Sequence, residues 1–175
     1  VTGLSDRTTY YFALKVGDEV PNWSAISNVP SATTTDGTAP SAVADLALSN
    51  ATTTSLDVSW TAPGDDNGTG TATTYDLRYS TATINAGNFA SATAVTGEPS
   101  PSAAGAAESM TVSGLTASTT YYFALKTSDE VPNTSSISNV PSATTSTPVS
   151  TEAPMPTPLG GVSRDGLSRT RGLGF

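Results

Sequence analysis

The chain has 175 residues, a formal net charge of −8, and neither cysteine nor histidine. Without these residue types the chain excludes disulfides, thiolate or imidazole zinc sites, and catalytic triads or dyads that use histidine. The acidic balance disfavours binding to nucleic acid and to anionic lipid, and no apolar stretch reaches the ~18 residues of a membrane span. We therefore expect no nucleic-acid binding and no membrane insertion.

The most informative feature of the sequence is an internal repeat. Residues 1–35 align without gaps on 112–146, at an offset of 111 positions, with 26 identities and nine differences. Such dense identity at a fixed period indicates a tandem array. We expect 1–35 to be the C-terminal part of a truncated domain and 36–146 to be a complete domain. The tail, 147–175, is Pro/Thr/Ser-rich and then Gly/Arg-rich, which predicts linker without packed structure; the alternative is a docking or anchoring peptide.

Taken in chain order, 36–146 alternates between short apolar-polar segments and turn residues, the pattern of strands and turns. A loosely alternating first strand lies within 43–48, and strict alternation follows over 56–60 and 75–79. Residues 89–95 contain a short edge strand, 109–113 and 121–126 alternate again, and 137–145 form the last strand. No window has a helical period. About seven strands separated by turns predict an all-β sandwich.

Large apolar side chains at the inward positions of these strands define the expected core. Tyr121 is also two residues from Thr119 and six from Leu115, a spacing that matches the tyrosine corner of Greek-key sandwiches. In that arrangement the ring fills the core and the hydroxyl bonds to the backbone of the corner. The predicted core residues are Trp60, Tyr75, Leu77, Leu115, Tyr121, Phe123 and Leu125.

Together these positions, with Pro40 at the start and two serines near the end, resemble a fibronectin type III domain over roughly 40–146. The segment 1–35 resembles the last strands of a second copy. The resemblance implies a seven-stranded Greek-key β-sandwich of the immunoglobulin-like kind, arranged as a tandem repeat. Two positions depart from the family pattern: Ala117 replaces the usual proline of the corner, and Pro132 replaces the usual glycine of the last loop.

The acidic residues of two loops are the candidate metal ligands. In the resembled fold, the loop after the second strand and the loop before the last strand lie at the same pole. Asp65 and Asp66 would then lie near Asp129 and Glu130, where a preceding domain adjoins. Oxygen ligands suit calcium, so these four residues are a candidate weak Ca²⁺ site; the alternative is a solvated acidic cap. No catalytic residue and no other cofactor is predicted.

The resemblance implies a non-catalytic structural spacer or interaction module from a tandem-repeat protein, secreted or at the surface of a bacterial cell. Two alternatives stay open. The chain is an accessory domain of an extracellular polysaccharide-degrading enzyme, or an adhesion module that binds through its acidic loop pole. The expected partners are neighbouring repeat domains of the same chain, with a protein or carbohydrate ligand as a further candidate. Trp23, an isolated loop aromatic, is a candidate for stacking on a sugar or on a neighbouring domain.

Overall fold

The computed structural model describes residues 1–20, 22–131 and 133–149. Pro132 and most of the predicted tail lie outside these ranges. Between residues 36 and 149, two antiparallel sheets pack face to face. One has three strands in the order β3 (Ala47–Ser49), β4 (Ser55–Thr61), β7 (Ala107–Ser113). The other has four, in the order β6 (Thr93–Ala94), β5 (Thr74–Ser80), β8 (Thr120–Ser128), β9 (Ser142–Thr144). The predicted all-β sandwich is confirmed.

The core lies between the inner faces of the two sheets. In β4 every second residue is buried, which is the alternation that the sequence predicts for a strand with one solvated face. The Trp60 ring packs edge-on against Tyr75, with ring centroids 5.1 Å apart. All seven residues that we predicted for the core are between 0 and 8 % exposed. One apolar cluster therefore holds both sheets together.

The corner before β8 is fixed by a tyrosine hydroxyl. Tyr121 accepts a hydrogen bond of 3.0 Å from the amide of Thr116. Ser118 in the same corner has φ of 53°, a left-handed conformation that costs an ordinary residue about 1 kcal/mol or more. The copy of this corner in the first unit has the same geometry, with Tyr10 accepting from Ser5 at 2.9 Å. Repeated sequence therefore gives repeated local structure.

The last strand differs from the prediction over 137–145, since only Ser142–Thr144 forms regular strand. Upstream of it, two serine hydroxyls take the place of backbone carbonyls. Ser135 Oγ accepts from the amide of Thr127, and Ser138 Oγ accepts from the amide of Leu125. Since side-chain oxygens satisfy the amides of β8, this edge stays attached without forming a regular ladder.

The first unit, residues 1–35, contains only β1 (Thr9–Tyr11) and β2 (Ser31–Thr33), paired antiparallel. Its apolar side chains have no opposing sheet within the described ranges. Leu14 is 65 % exposed, whereas Leu125, which occupies the same place in the complete domain, is 0 % exposed. Within the described ranges, no helix is long and apolar enough to cross a membrane.

Candidate functional site

Three segments meet at the pole of the sandwich that faces the first unit. They are the connector from the first unit, the loop between β4 and β5, and the loop after β8. We call the carboxylates that they bring together the acidic pole: Asp36 from the connector, Asp65 and Asp66 from the first loop, and Glu130 from the second. This pole joins the complete domain to the preceding unit.

Two glycines allow the loop between β4 and β5 to fold tightly around Asp65. Gly64 has φ of +79°, and a Cβ atom there would lie 2.5 Å from the carbonyl oxygen of Thr69. Gly70 has φ of +73°, and a Cβ atom there would lie 2.9 Å from the Cβ of Asp65. Only glycine fits both places without displacing backbone or side chain. As a result, Asp65 is buried although it belongs to a polar loop.

Asp36 is the member of the acidic pole that the sequence analysis missed. Its side chain is 1 % exposed, and its Oδ1 accepts from the amide of Thr38 at 3.0 Å. Asp36, Asp65 and Asp66 each offer a carboxylate oxygen, and these three atoms lie within 4.8 Å of one another. A signal was present in the repeat, because the position equivalent to Asp36 is Thr147, which has no carboxylate.

Of the four predicted ligands, Asp65 and Asp66 lie together, and Glu130 lies at the rim. The fourth, Asp129, makes its hydrogen bonds elsewhere. Asp129 closes its own loop: it accepts from the amides of Val131 and Asn133 and from the side chain of Asn133. Asp18 makes the same three bonds in the first unit, to Val20 and Asn22. These bonds lower the pKa of Asp129 against the opposing effect of burial. Its hydrogen bonds therefore stay within the loop, while its charge still helps to raise the pKa of Asp66.

Arg7, from the corner of the first unit, enters the acidic pole. Its Nη1 lies 3.0 Å from Asp65, 3.6 Å from Asp36 and 3.9 Å from Asp66, and its Nη2 lies 2.9 Å from Glu130. The neighbouring Asp6 accepts from the amide of Gly37 and, at 2.7 Å, from the hydroxyl of Thr38. We call these contacts of Asp6 and Arg7 the joint. Sequence reasoning did not identify either residue as functional.

The electrostatics of the pole are unbalanced, since four carboxylates surround one guanidinium. Burial raises the pKa of Asp65, the charges of Glu130 and Asp66 raise it further, and Arg7 opposes this rise. Burial and the charge of Asp36 likewise raise the pKa of Asp66. Three carboxylate oxygens of the pole are buried and accept no hydrogen bond: Asp36 Oδ2, Asp65 Oδ1 and Asp66 Oδ1. The pole therefore has an excess of negative charge and can bind a positive charge.

A polar groove of about 600 Å³ adjoins the pole, and no acid or base lines it. Its walls are uncharged residues of 37–42 and 134–136 together with Asn67. The groove therefore offers hydrogen bonds to a ligand, and none of its lining side chains can serve in acid–base chemistry.

Trp23, the candidate for stacking, is 65 % exposed and lies over Gly17, where a Cβ atom would be 3.2 Å from the ring.

Comparison with known proteins agrees with this architecture. The fibronectin type III domain model matches residues 39–147, and the chain belongs to this family. Chitinase A1 of Niallia circulans is 37 % identical over 150 residues, which are 83 % of this chain and 18 % of that protein. Exoglucanase B of Cellulomonas fimi is 35 % identical over 152 residues, 84 % of this chain and 12 % of that protein. The chain thus spans less than a fifth of either relative.

Among solved structures, the rat CD45 extracellular region, domains d3-d4, is similar with a TM-score of 0.49 and 19 % sequence identity. The match covers 83 % of this chain and 67 % of that one.

Proposed function

We propose that the chain is a non-catalytic spacer that holds neighbouring domains of a multidomain extracellular protein at a set distance and angle. The observation that carries this proposal is the joint. Arg7 reaches from the first unit to both loops and the connector, while Asp6 binds the connector from the same corner. Because these contacts reach three separate segments, they restrain both the rotation of the two units about the connector and the distance between the units.

The repeat supports a role for these residues between units rather than inside one. Positions 6 and 7 are among the nine differences between the copies, with Ala117 and Ser118 in the second copy. Both corners nevertheless have the same shape, since φ is 51° at Arg7 and 53° at Ser118. The fold of the corner therefore does not need Asp6 or Arg7. Their contacts serve the joint.

The energy of the joint is modest, and its value lies in geometry. The Arg7 side chain is 49 % exposed, so solvent screens its attraction to the carboxylates of the pole. A planar guanidinium with several fixed donors also selects one arrangement of its acceptors. The joint thus favours one orientation of the two units while adding little to their stability.

The relatives favour an accessory module among the alternatives. By their names, one relative acts on chitin and the other on a glucan, and this chain corresponds to a small part of each. Such polymers are too large to enter a cell, which supports an extracellular location. The proposed role of a spacer fits a protein that must position separate domains along an extended polymer.

Nuclear magnetic resonance of the whole chain tests the proposal through residual dipolar couplings. Amides of β1 and β2 are compared with those of β4, β5 and β8. In the natural chain we expect one alignment tensor to fit both sets. Arg7→Ser introduces the residue of the second copy, so it keeps the corner but removes the contacts, and two tensors should then be required. Lys15→Ser is the matched control, because Lys15 is a cation of the first unit without an ion pair within the described ranges.

Two results would overturn the proposal. One is a natural chain whose units already need separate tensors, which would mean that the joint does not fix their orientation. The other is a Lys15→Ser variant that loosens the units as much as Arg7→Ser does, since the effect would then follow net charge alone.

A further inference from the structure

We propose that Asp36, Asp65 and Asp66 form a calcium site beside the joint. The three carboxylates come from two segments that fold together only in the assembled domain, and one oxygen from each lies within 4.8 Å of the others. The site differs from the set predicted by sequence, because Asp36 enters it and Asp129 is committed to its own loop.

Unsatisfied buried oxygens point to a missing ligand. The side chains of Asp36 and Asp65 are 1 % and 8 % exposed. Nevertheless, Asp36 Oδ2 and Asp65 Oδ1 accept no hydrogen bond, and neither does Asp66 Oδ1. A buried carboxylate oxygen without a partner is costly, so native structures pair it with a donor or a metal ion. Each of the three clustered carboxylates thus has one buried oxygen free to bind a cation.

Arg7 alone does not satisfy this cluster. Its Nη1 lies at hydrogen-bond distance from Asp65 Oδ2 only, and its contacts with Asp36 and Asp66 are 3.6 and 3.9 Å. Its Nη2 is directed to Glu130. On Asp65 and Asp66 the atoms next to Arg7 are the Oδ2 oxygens, and the Oδ1 oxygens are left over. The spare oxygen of Asp36 is Oδ2, which faces Arg7 Nη1 at 3.6 Å, so a divalent ion would share this oxygen with Arg7 while Nη2 keeps Glu130.

The chemistry of the ligands selects calcium. All three are carboxylates, and the chain has no histidine or cysteine to favour zinc or copper. Magnesium requires near-ideal octahedral geometry and keeps its water, whereas calcium accepts irregular sets of six to eight oxygens. Carboxylates on a connector and a loop suit the less demanding ion. A site with only three protein ligands belongs with the weak sites of extracellular modules, with a Kd of about 10⁻⁴–10⁻³ M.

Calorimetric titration of the whole chain with CaCl₂ tests the proposal, together with denaturation in about 10 mM CaCl₂ and in NaCl of equal ionic strength. We expect one site per chain. Calcium should also raise the ratio of folded to unfolded domain by roughly ten- to a hundredfold over NaCl. Asp36→Asn and Asp65→Asn keep the shape of the side chains and should each remove the calcium effect. Glu19→Gln, which changes an exposed acid of the first unit, should leave it intact.

Circular dichroism in calcium-free buffer confirms that each variant is folded before it is titrated. Arg7→Ser separates this proposal from the preceding one, because it should loosen the joint and yet tighten calcium binding, by roughly tenfold or less, through loss of a nearby positive charge. Equal stability in CaCl₂ and NaCl would overturn the site. So would a calcium effect that survives Asp36→Asn, and equal effects of MgCl₂ and CaCl₂ would overturn the assignment to calcium.

Discussion

The two copies of one sequence permit a matched test of how much burial of a side chain contributes to stability. Leu125 and Leu14 each stand in the sequence Ala-Leu-Lys, and each donates its amide to a serine hydroxyl, at 2.9 Å and 3.0 Å. They differ in burial, since Leu125 is 0 % exposed and Leu14 is 65 % exposed. Leu125→Ala should therefore cost about 3–5 kcal/mol, from lost apolar burial and the cavity left behind. Leu14→Ala should change stability by no more than about 0.5 kcal/mol.

Guanidinium denaturation followed by far-ultraviolet circular dichroism measures both losses. A domain of this size has a stability of about 5–15 kcal/mol, so a loss of 3–5 kcal/mol moves the midpoint clearly. Trp60 fluorescence in a Trp23→Phe background gives a second probe, because Trp60 is buried and Trp23 is exposed. Equal losses for the two variants would refute the reasoning, since they would require a cover over Leu14 in solution. A loss below about 1 kcal/mol for Leu125→Ala would refute the core assignment.

Two further predictions each have a control within the chain. Amides of 10–15 should exchange with solvent much faster than those of 121–126, measured by hydrogen exchange, because β8 is paired with both β5 and β9 whereas β1 is paired with β2 alone, and a two-stranded sheet alone is marginal; equal protection would contradict this. Gly64→Ala should destabilise the domain by about 2 kcal/mol or more, since it adds a backbone clash to a left-handed φ. Gly97 has φ of +86° and open space around it, so Gly97→Ala is the control and should cost only about 1 kcal/mol in the same melts.

The sandwich could be predicted because the local sequence pattern of its strands indicates them. In β4 and β5 the apolar residues fall on alternate positions, and burial follows that pattern. Alternation alone could not predict that the segment before β9 is irregular. This segment is attached through Ser135 and Ser138, whose hydroxyls accept hydrogen bonds from amides of β8. Spacing alone does not reveal that a hydroxyl replaces a carbonyl.

The candidate site was harder to predict, for a physical reason. The two loops could be placed at one pole from the resembled topology, which brought Asp65 and Asp66 into view. Whether a carboxylate points to a neighbour or back to its own loop depends on backbone turns, and Asp129 turns back. Arg7 and Asp36 belong to no strand and no motif. The differences between the two copies were the signal that could have found both residues.

The left-handed corner has a consequence for assembly. It presents the same backbone at Arg7 and at Ser118, so the residues of the joint are separable from the domain that carries them. Ala117→Asp, Ser118→Arg and Thr147→Asp would give the far end of the complete domain the same binding surface as the first unit. If a further copy of 36–146 were appended there, each unit would meet the next at one repeated angle. Repeating one rotation and one translation generates a screw, so the array would form a rod of constant pitch instead of a flexible string.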